Sequence, residues 1–198
     1  MLSVETVTKW MELFGEQLTE NKTYLSELDT AIGDGDHGNN LARGAAALKE
    51  KLGANEYEAL TDLLKDVGMV FVSKIGGASG PLYGSAFISM AKASKDNDSL
   101  ELADLLAAGL DGIQKRGKAE AGEKTMVDEW VPVVEAVKNN SLTTETIEEA
   151  VEKTKDMKAT KGRASYLGDR SIGHLDPGAM SSSLLFKTML EAGVYDGK

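Results

Sequence analysis

Apolar residues return at steps of three and four along almost the whole chain, and no segment alternates in the manner of a half-buried strand. That periodicity is what most limits the fold. Val4, Val7, Met11, Phe14 and Leu18 form one helical face behind Ser3, which stands as N-cap. A second segment follows Gly38 with Leu41, Ala45, Leu48 and Leu52 and stops at Gly53, and a third carries Leu60, Leu63, Leu64, Val67, Val70 and Phe71. Small residues dominate 83–93, suited to a closely packed helix. Ser99 reads as the cap of a helix running through Leu102, Leu105, Leu106, Leu110 and Ile113 to Gly117. Two more follow over 130–137 and 147–157. The last starts at Asp176-Pro177, an N-cap followed by proline at the first helical position. The one β-branched cluster, 131–134, is interrupted by Pro132 inside a helical pattern. The sequence therefore predicts an all-α fold of about seven or eight antiparallel helices in one domain, 1–198.

Two irregular segments break the pattern, 29–40 and 160–175, both rich in Gly and charged residues. Function is expected there. In the first, Asp29, Asp34 and Asp36 lie within one short loop, with Gly33 and Gly35 on either side of the middle one. Glycines let the backbone turn sharply enough to aim all three carboxylates at one point. Converging carboxylates repel one another unless a cation sits between them, which points to a hard, oxygen-preferring metal, Mg2+ first. The alternative is an acidic turn that caps the next helix, although a cap needs one carboxylate rather than three.

Three standard motifs fail on the same chain. Gly33-x-Gly35-x-x-Gly38 matches the dinucleotide fingerprint in letters, but no strand precedes it and aspartates fill the positions beside the pyrophosphate. A calcium loop counted from Asp34 would need a carboxylate where Ala45 stands. The run from Gly112 to Lys118 has Ala119 where a P-loop needs a hydroxyl.

Two further elements carry binding chemistry. Gly76-Gly77-Ala78-Ser79-Gly80-Pro81 sits between helices, where exposed N–H groups hold phosphate or where small residues merely allow close crossing. The segment 162–171 brings Arg163 and Arg170, whose guanidinium forks suit phosphate or ordinary surface ion pairs. His37 and His174 are the chain's 2 histidines, one in each irregular segment. Imidazole is a poor Mg2+ ligand, so His37 reads as a nucleotide contact, a residue just behind the metal, or a plain polar loop residue. His174 reads as loop packing or a cap rather than a general base.

Charge narrows the partners. With Lys+Arg 22 against Asp+Glu 32, the net charge is -10, a surface that repels nucleic acid and anionic membrane. A phosphate must then be held locally, by metal or by backbone amides. Cys 0 removes disulfides, thiolate metal sites and thiol nucleophiles. No run approaches the ~18 apolar residues of a membrane span, and the first residues lack the pattern of a signal peptide, so a cytoplasmic protein is expected.

Taken together, Asp29-x4-Asp34-Gly35-Asp36-His37-Gly38-x-Asn40, Gly76-Gly77-Ala78-Ser79-Gly80-Pro81, Gly122-Glu123-Lys124-Thr125-Met126, 162–168 and Asp176-Pro177-Gly178-Ala179 resemble the nucleotide-binding L subunits of dihydroxyacetone kinase, the DhaL family. The motifs follow the family order over most of the chain. The resemblance implies a barrel of about eight antiparallel helices with the nucleotide site in the loops at one end. It implies that Asp29, Asp34 and Asp36 hold two Mg2+, and that His37, Gly38, Asn39, Asn40, Ala78 and Ser79 contact the nucleotide. Gly117 and Met126 align near the adenine, Arg163 with a contact of the 162–168 motif, and Asp176, Pro177 and Gly178 with the last. No catalytic residue is implied beyond the Mg-ADP site.

In that family ADP is a tightly held cofactor, rephosphorylated by the phosphohistidine of a phosphotransferase-system protein, DhaM. The phosphoryl group then passes to dihydroxyacetone on DhaK. Nothing here resembles the sugar-binding K part, so the resemblance implies a subunit with DhaK and DhaM as partners, its state open between monomer and homodimer. Three carboxylates plus ADP gather about six negative charges, which two Mg2+ reduce to about two, so metal and nucleotide should bind together. The alternatives are an ATP-exchanging kinase subunit, a non-catalytic nucleotide-dependent partner of a regulator, and a purely structural helical protein.

Overall fold

The computed structural model describes residues 2–95, 97 and 99–197. Among them are nine α-helices: α1 (Val4–Glu20), α2 (Lys22–Ile32), α3 (His37–Gly53), α4 (Leu60–Lys74), α5 (Ser79–Ser94), α6 (Leu102–Gly117), α7 (Val127–Lys138), α8 (Thr144–Lys153) and α9 (Pro177–Glu191). Short 3-10 segments cover Thr154–Asp156 and Arg163–Ser171, and no strand occurs among the described residues.

Local chemistry accounts for the ends. Ser3 Oγ accepts the Thr6 N–H at 3.1 Å while Thr6 Oγ1 accepts the Ser3 N–H at 3.2 Å, a reciprocal cap that starts α1. Of the stripe behind it, Val7, Met11, Phe14 and Leu18 are buried as the spacing predicts, Val4 is only partly buried, and Trp10, outside that spacing, is buried with them. At α9, Asp176 Oδ2 accepts the Ala179 N–H at 2.8 Å and Pro177 opens the helix.

Three boundaries differ from the sequence reading. Residues 29–32 close helix α2 and 37–40 form the first turn of α3, so the loop shrinks to 33–36. Helix α2 escapes a periodicity search because only Leu25 and Ile32 of its residues are buried. Ser99 does not cap α6, which begins after Glu101; its hydroxyl donates to Asn97 Oδ1 instead. The segment 147–157 is the end of α8, capped by Thr143, followed by a separate 3-10 turn.

Each helix packs on the next from α3 to α9, α9 packs back on α1, and α1 on α3, closing a ring of eight. Helix α2 lies outside the ring across α3 and α9. The connections α2–α3, α4–α5, α6–α7 and α8–α9 all reach one cleft, so successive helices run up and down as expected for an antiparallel barrel. The most extensive contact, α4 on α5, depends on glycine: a Cβ on Gly68 would meet Ile88 Cγ1 at 2.8 Å, and one on Gly84 would meet the Gly68 carbonyl at 3.0 Å. Inside the ring, Phe71 and Phe87 stand edge to face at 5.3 Å, as do Trp130 and Phe186 at 5.0 Å. No helix of the described residues is long and apolar enough to cross a membrane.

Candidate functional site

The four connections at one barrel end enclose a cleft of about 870 Å³. A smaller cavity of about 520 Å³, between Leu2, Leu102, Val137 and Val194, lies at the other end and gathers no comparable chemistry. Alternation of helix direction puts the N-termini of α3, α5, α7 and α9 at the large cleft, through His37, Ser79, Met126 and Pro177. Unpaired N–H groups and aligned peptide dipoles make that end favourable to anions despite the acidic surface.

Facing these helix ends are the aspartates. One ligand atom from each of Asp29, Asp34 and Asp36 lies within 4.8 Å of the others. Asp29, on the last turn of α2, uses Oδ2 to accept the N–H groups of Asp36 at 2.9 Å and His37 at 3.1 Å. It thereby caps α3 and fixes the turn between the two helices. Gly35 takes φ +78°, a conformation open to glycine, and this reversal separates Asp34 from Asp36 so that both can converge on Asp29. The donor set consists of carboxylate oxygens only, which suits a hard divalent cation. One cationic side chain already touches it: Arg163 Nη1 lies 2.8 Å from Asp34 Oδ2.

The remaining residues singled out in the sequence divide into two groups. Asn40, Ala78, Ser79, Met126, Arg163, Asp176, Pro177 and Gly178 line the cleft with His37. Gly38, Asn39 and Gly117 do not. Gly38 faces α2, where an added Cβ would overlap the Lys22 carbonyl oxygen, and Asn39 is exposed on the outer side of α3. Gly117 stands behind the wall, its added Cβ meeting Leu82 Cδ2 at 2.9 Å, and Leu82 lines the cleft. His174 is exposed and off the cleft wall; its carbonyl accepts from Lys124.

His37, 8% exposed, connects cleft and core. Its Nδ1 is 3.1 Å from Ser79 Oγ and its Nε2 is 3.1 Å from Ser181 Oγ. Ser181 continues to the Tyr83 hydroxyl at 2.7 Å, Tyr83 to Ser182 at 3.0 Å, and the Trp130 indole N–H donates to Ser182 at 3.1 Å. Burial holds the imidazole below its ordinary pKa, partly offset by Asp29 and Asp36, so the neutral ring is favoured and joins the chain as donor on one side and acceptor on the other. Burial also pushes Asp176 up to about 7, against the hydrogen bond from Ala179 and the charge of Lys124.

Sequence reasoning passed over Lys124, Tyr83 and Ser181. Lys124 lies within 122–126 and carries no local signal of its role, yet it is 1% exposed and lines the cleft floor. Tyr83 lies in the 83–93 stretch read for close helix packing, and nothing in the sequence pairs it with Ser181. Tyr166, 87% exposed on the Arg163–Ser171 segment, stands at the rim.

The DAK2 domain family model matches residues 31–191. The chain is 58% identical over 188 residues to PEP-dependent dihydroxyacetone kinase 1, ADP-binding subunit DhaL, of Listeria innocua, covering 94% of this chain and 95% of that one. It is 49% identical to the PTS-dependent dihydroxyacetone kinase, ADP-binding subunit DhaL, of Lactococcus lactis, covering 96% and 98%. The PEP-dependent counterpart of Escherichia coli is 42% identical, with 95% and 96% covered. Among solved structures, the dihydroxyacetone kinase of C. freundii superposes with TM-score 0.76 at 24% identity. The match covers 96% of this chain and 35% of that one, and shows a shared fold.

Proposed function

This chain belongs to the DAK2 domain family, alongside the DhaL subunits of dihydroxyacetone kinase, and from that premise we propose that it is the Mg-ADP-carrying subunit of a phosphoenolpyruvate-dependent dihydroxyacetone kinase. Its ADP accepts a phosphoryl group from the phosphohistidine of a DhaM-type carrier and passes it to dihydroxyacetone on a DhaK-type subunit. Residues 1–198 act as one DhaL-type domain, with the cytoplasm as its compartment. The observation that carries this reading is the placement of three convergent carboxylates in one cleft that four helix N-termini share. Relatives at 42–58% identity, matched over 95–98% of their own length, are ADP-binding subunits of dihydroxyacetone kinases and support the nucleotide and the reaction.

Asp29, Asp34 and Asp36 would hold two Mg2+, which when bound neutralise phosphate charge and orient the transferring group. The chain's own part is positioning. Phosphoryl transfer asks for charge neutralisation and in-line approach more than for a protein nucleophile. The first turns of α3, α5 and α9 bring the positive ends of their helix dipoles to the cleft. Ser79 offers a hydroxyl oriented by His37. Arg163 is placed to turn its guanidinium from Asp34 to a phosphate. Ile32, Leu82 and Met126 give the cleft an apolar wall against which a base can stack and from which water is excluded.

Native mass spectrometry after extensive desalting in Mg2+, repeated after EDTA, tests the reading. The expected mass gain is ADP plus two Mg2+, lost with the chelator, and the same spectrum reads monomer or homodimer. A bare chain that binds ATP only transiently would replace the carrier-fed subunit by an ATP-exchanging one. Absence of any nucleotide binding would overturn the proposal.

A further inference from the structure

Between α8 and α9 the chain leaves the barrel, carries Arg163 and Tyr166 to the rim of the cleft, and returns at Asp176. One side chain holds both ends of this strap. Lys124 Nζ donates to the carbonyl oxygens of Thr154 and His174, the residues at which the excursion begins and ends. Around that point the Gly173 N–H donates to the Lys155 carbonyl at 2.7 Å, the Asp176 N–H to Thr154 Oγ1 at 3.0 Å, and the Ala159 N–H to Ser171 Oγ at 2.9 Å. The backbone beside Lys124 joins in, since the Thr160 N–H donates to the Glu123 carbonyl at 3.2 Å.

Two costs meet at this residue. A lysine 1% exposed has lost its hydration, and its backbone takes φ +60°, a left-handed conformation that side-chain-bearing residues disfavour. Such strain persists only where the surroundings over-determine it. Asp128 does so here, accepting the N–H groups of Gly122 and Thr125 on either side of Lys124. The carboxylates of Asp176 and Asp128 supply the opposing charge, and Asp156 adds a smaller share. A methionine of similar length would fill the space, leave the His174 carbonyl without this donor, and leave the Thr154 carbonyl with the Met157 N–H alone.

We propose that Lys124 is a positioning residue of the nucleotide site: by bridging the Thr154 and His174 carbonyls it fixes the Arg163 strap and the Asp176–Gly178 wall before any ligand arrives. Its ammonium points into the protein backbone, so it acts through these elements and touches no substrate. The part concerning affinity rests on the Mg-ADP reading above; the part concerning the strap does not.

The test uses Lys124→Met in the full chain. Hydrogen exchange is measured without nucleotide, and Mg-ADP affinity by calorimetry. Amides at Ala159, Thr160, Gly173 and Asp176 are expected to exchange at least about 10-fold faster, while α1, α4 and α5 keep their protection, and Kd is expected to rise about 10- to 100-fold. Because the chain has Cys 0, Lys124→Cys carries a single thiol. Alkylating it with 2-bromoethylamine in denaturant displaces bromide, releases the thiol proton, and forms a thioether that carries an ammonium at nearly the original reach. After refolding, this form should regain protection and affinity to within about 3-fold of the parent. If Lys124→Met does not fold, the alkylated form must fold and bind where the unalkylated one does not. An unchanged strap, protection lost evenly through α1, α4 and α5, or no rescue by the thioether would overturn the proposal. If the parent protein itself takes no ADP, the nucleotide reading falls, and exchange at the strap alone decides the clamp.

Discussion

Arg163 and Asp34 form an ion pair at 2.8 Å that joins the strap to the carboxylate cluster. The guanidinium, 65% exposed, is in high dielectric, and such a pair contributes only about 0–1 kcal/mol, so it can be exchanged for a stronger partner at little cost. Asp34 therefore suits a ligand that trades a guanidinium for a divalent ion. Asp34→Asn should retain the fold and lose at least about 100-fold in Mg2+-dependent ADP affinity, since one of three converging charges is removed. Calorimetric titration of ADP with and without Mg2+ reads this directly. Normal phosphoryl transfer by the variant would sink the proposed role of the cluster.

The chain Ser79–His37–Ser181–Tyr83–Ser182–Trp130 makes the cleft floor dependent on a core hydroxyl. Tyr83 is fully buried, and its hydroxyl is shared between Ser181 and Ser182. Tyr83→Phe keeps the ring packed against Phe14 and Phe71 and removes that one group. We expect a loss of about 1–2 kcal/mol in urea unfolding, from hydroxyls left with fewer partners. ADP affinity should fall about 2- to 5-fold as His37 and Ser79 lose their support. Unchanged affinity would mean that the chain ends, functionally, at Ser181.

How much of this was readable beforehand depended on whether a residue's role was local. The α1 stripe, the α9 cap and the aspartate loop carry their signals within a few positions, and each emerged from spacing alone. Helix α2 did not, because a helix packed on the outside of a ring buries few residues and leaves no stripe. Lys124 and Tyr83 act on partners 30 to 99 positions away, a relation that only the folded chain creates. Gly117 illustrates the converse: its place near the cleft comes through Leu82, whose contact with it no motif encodes.

Glu129 predicts a pH dependence. Its carboxyl is 0% exposed and neither oxygen has a protein partner. Burial raises its pKa from 4.5 to about 9, with Lys187 pulling weakly the other way. Since the folded value lies above the unfolded one, the folded state binds this proton more tightly, and the resulting stability is complete below about 4.5 and lost as pH rises toward about 9. Asp176, raised from 3.8 to about 7, adds a slope of the same sign over its own lower window. Glu129→Met should therefore raise Tm by about 2–6 °C at pH 8, by less at pH 5, and flatten the decline between them. Asp176 remains in both proteins, so the difference isolates Glu129. Parallel Tm curves would show that the buried acid is not the cause.

Gly38 separates the placement of Asp29 from the integrity of the barrel. Helix α2 crosses α3 at this glycine, where an added Cβ would overlap the Lys22 carbonyl and come within 2.6 Å of Ser26 Oγ. Both obstacles belong to α2, so the methyl group of Gly38→Ala must push that helix outward. Asp29 rides on the same helix, one turn beyond Ser26, and its bonds to the Asp36 and His37 N–H groups would stretch. The ring itself closes without α2, so overpacking should cost only about 1–3 kcal/mol in urea unfolding. Metal-dependent ADP affinity should drop at least about 10-fold. Gly53→Ala is the control, a glycine in the same helix with nothing within 4 Å of its added Cβ, where stability should hold or rise slightly and affinity stay put. Equal ADP affinity in Gly38→Ala and the parent would show that the cluster tolerates movement of α2, and that Asp34 and Asp36 suffice to hold the metal.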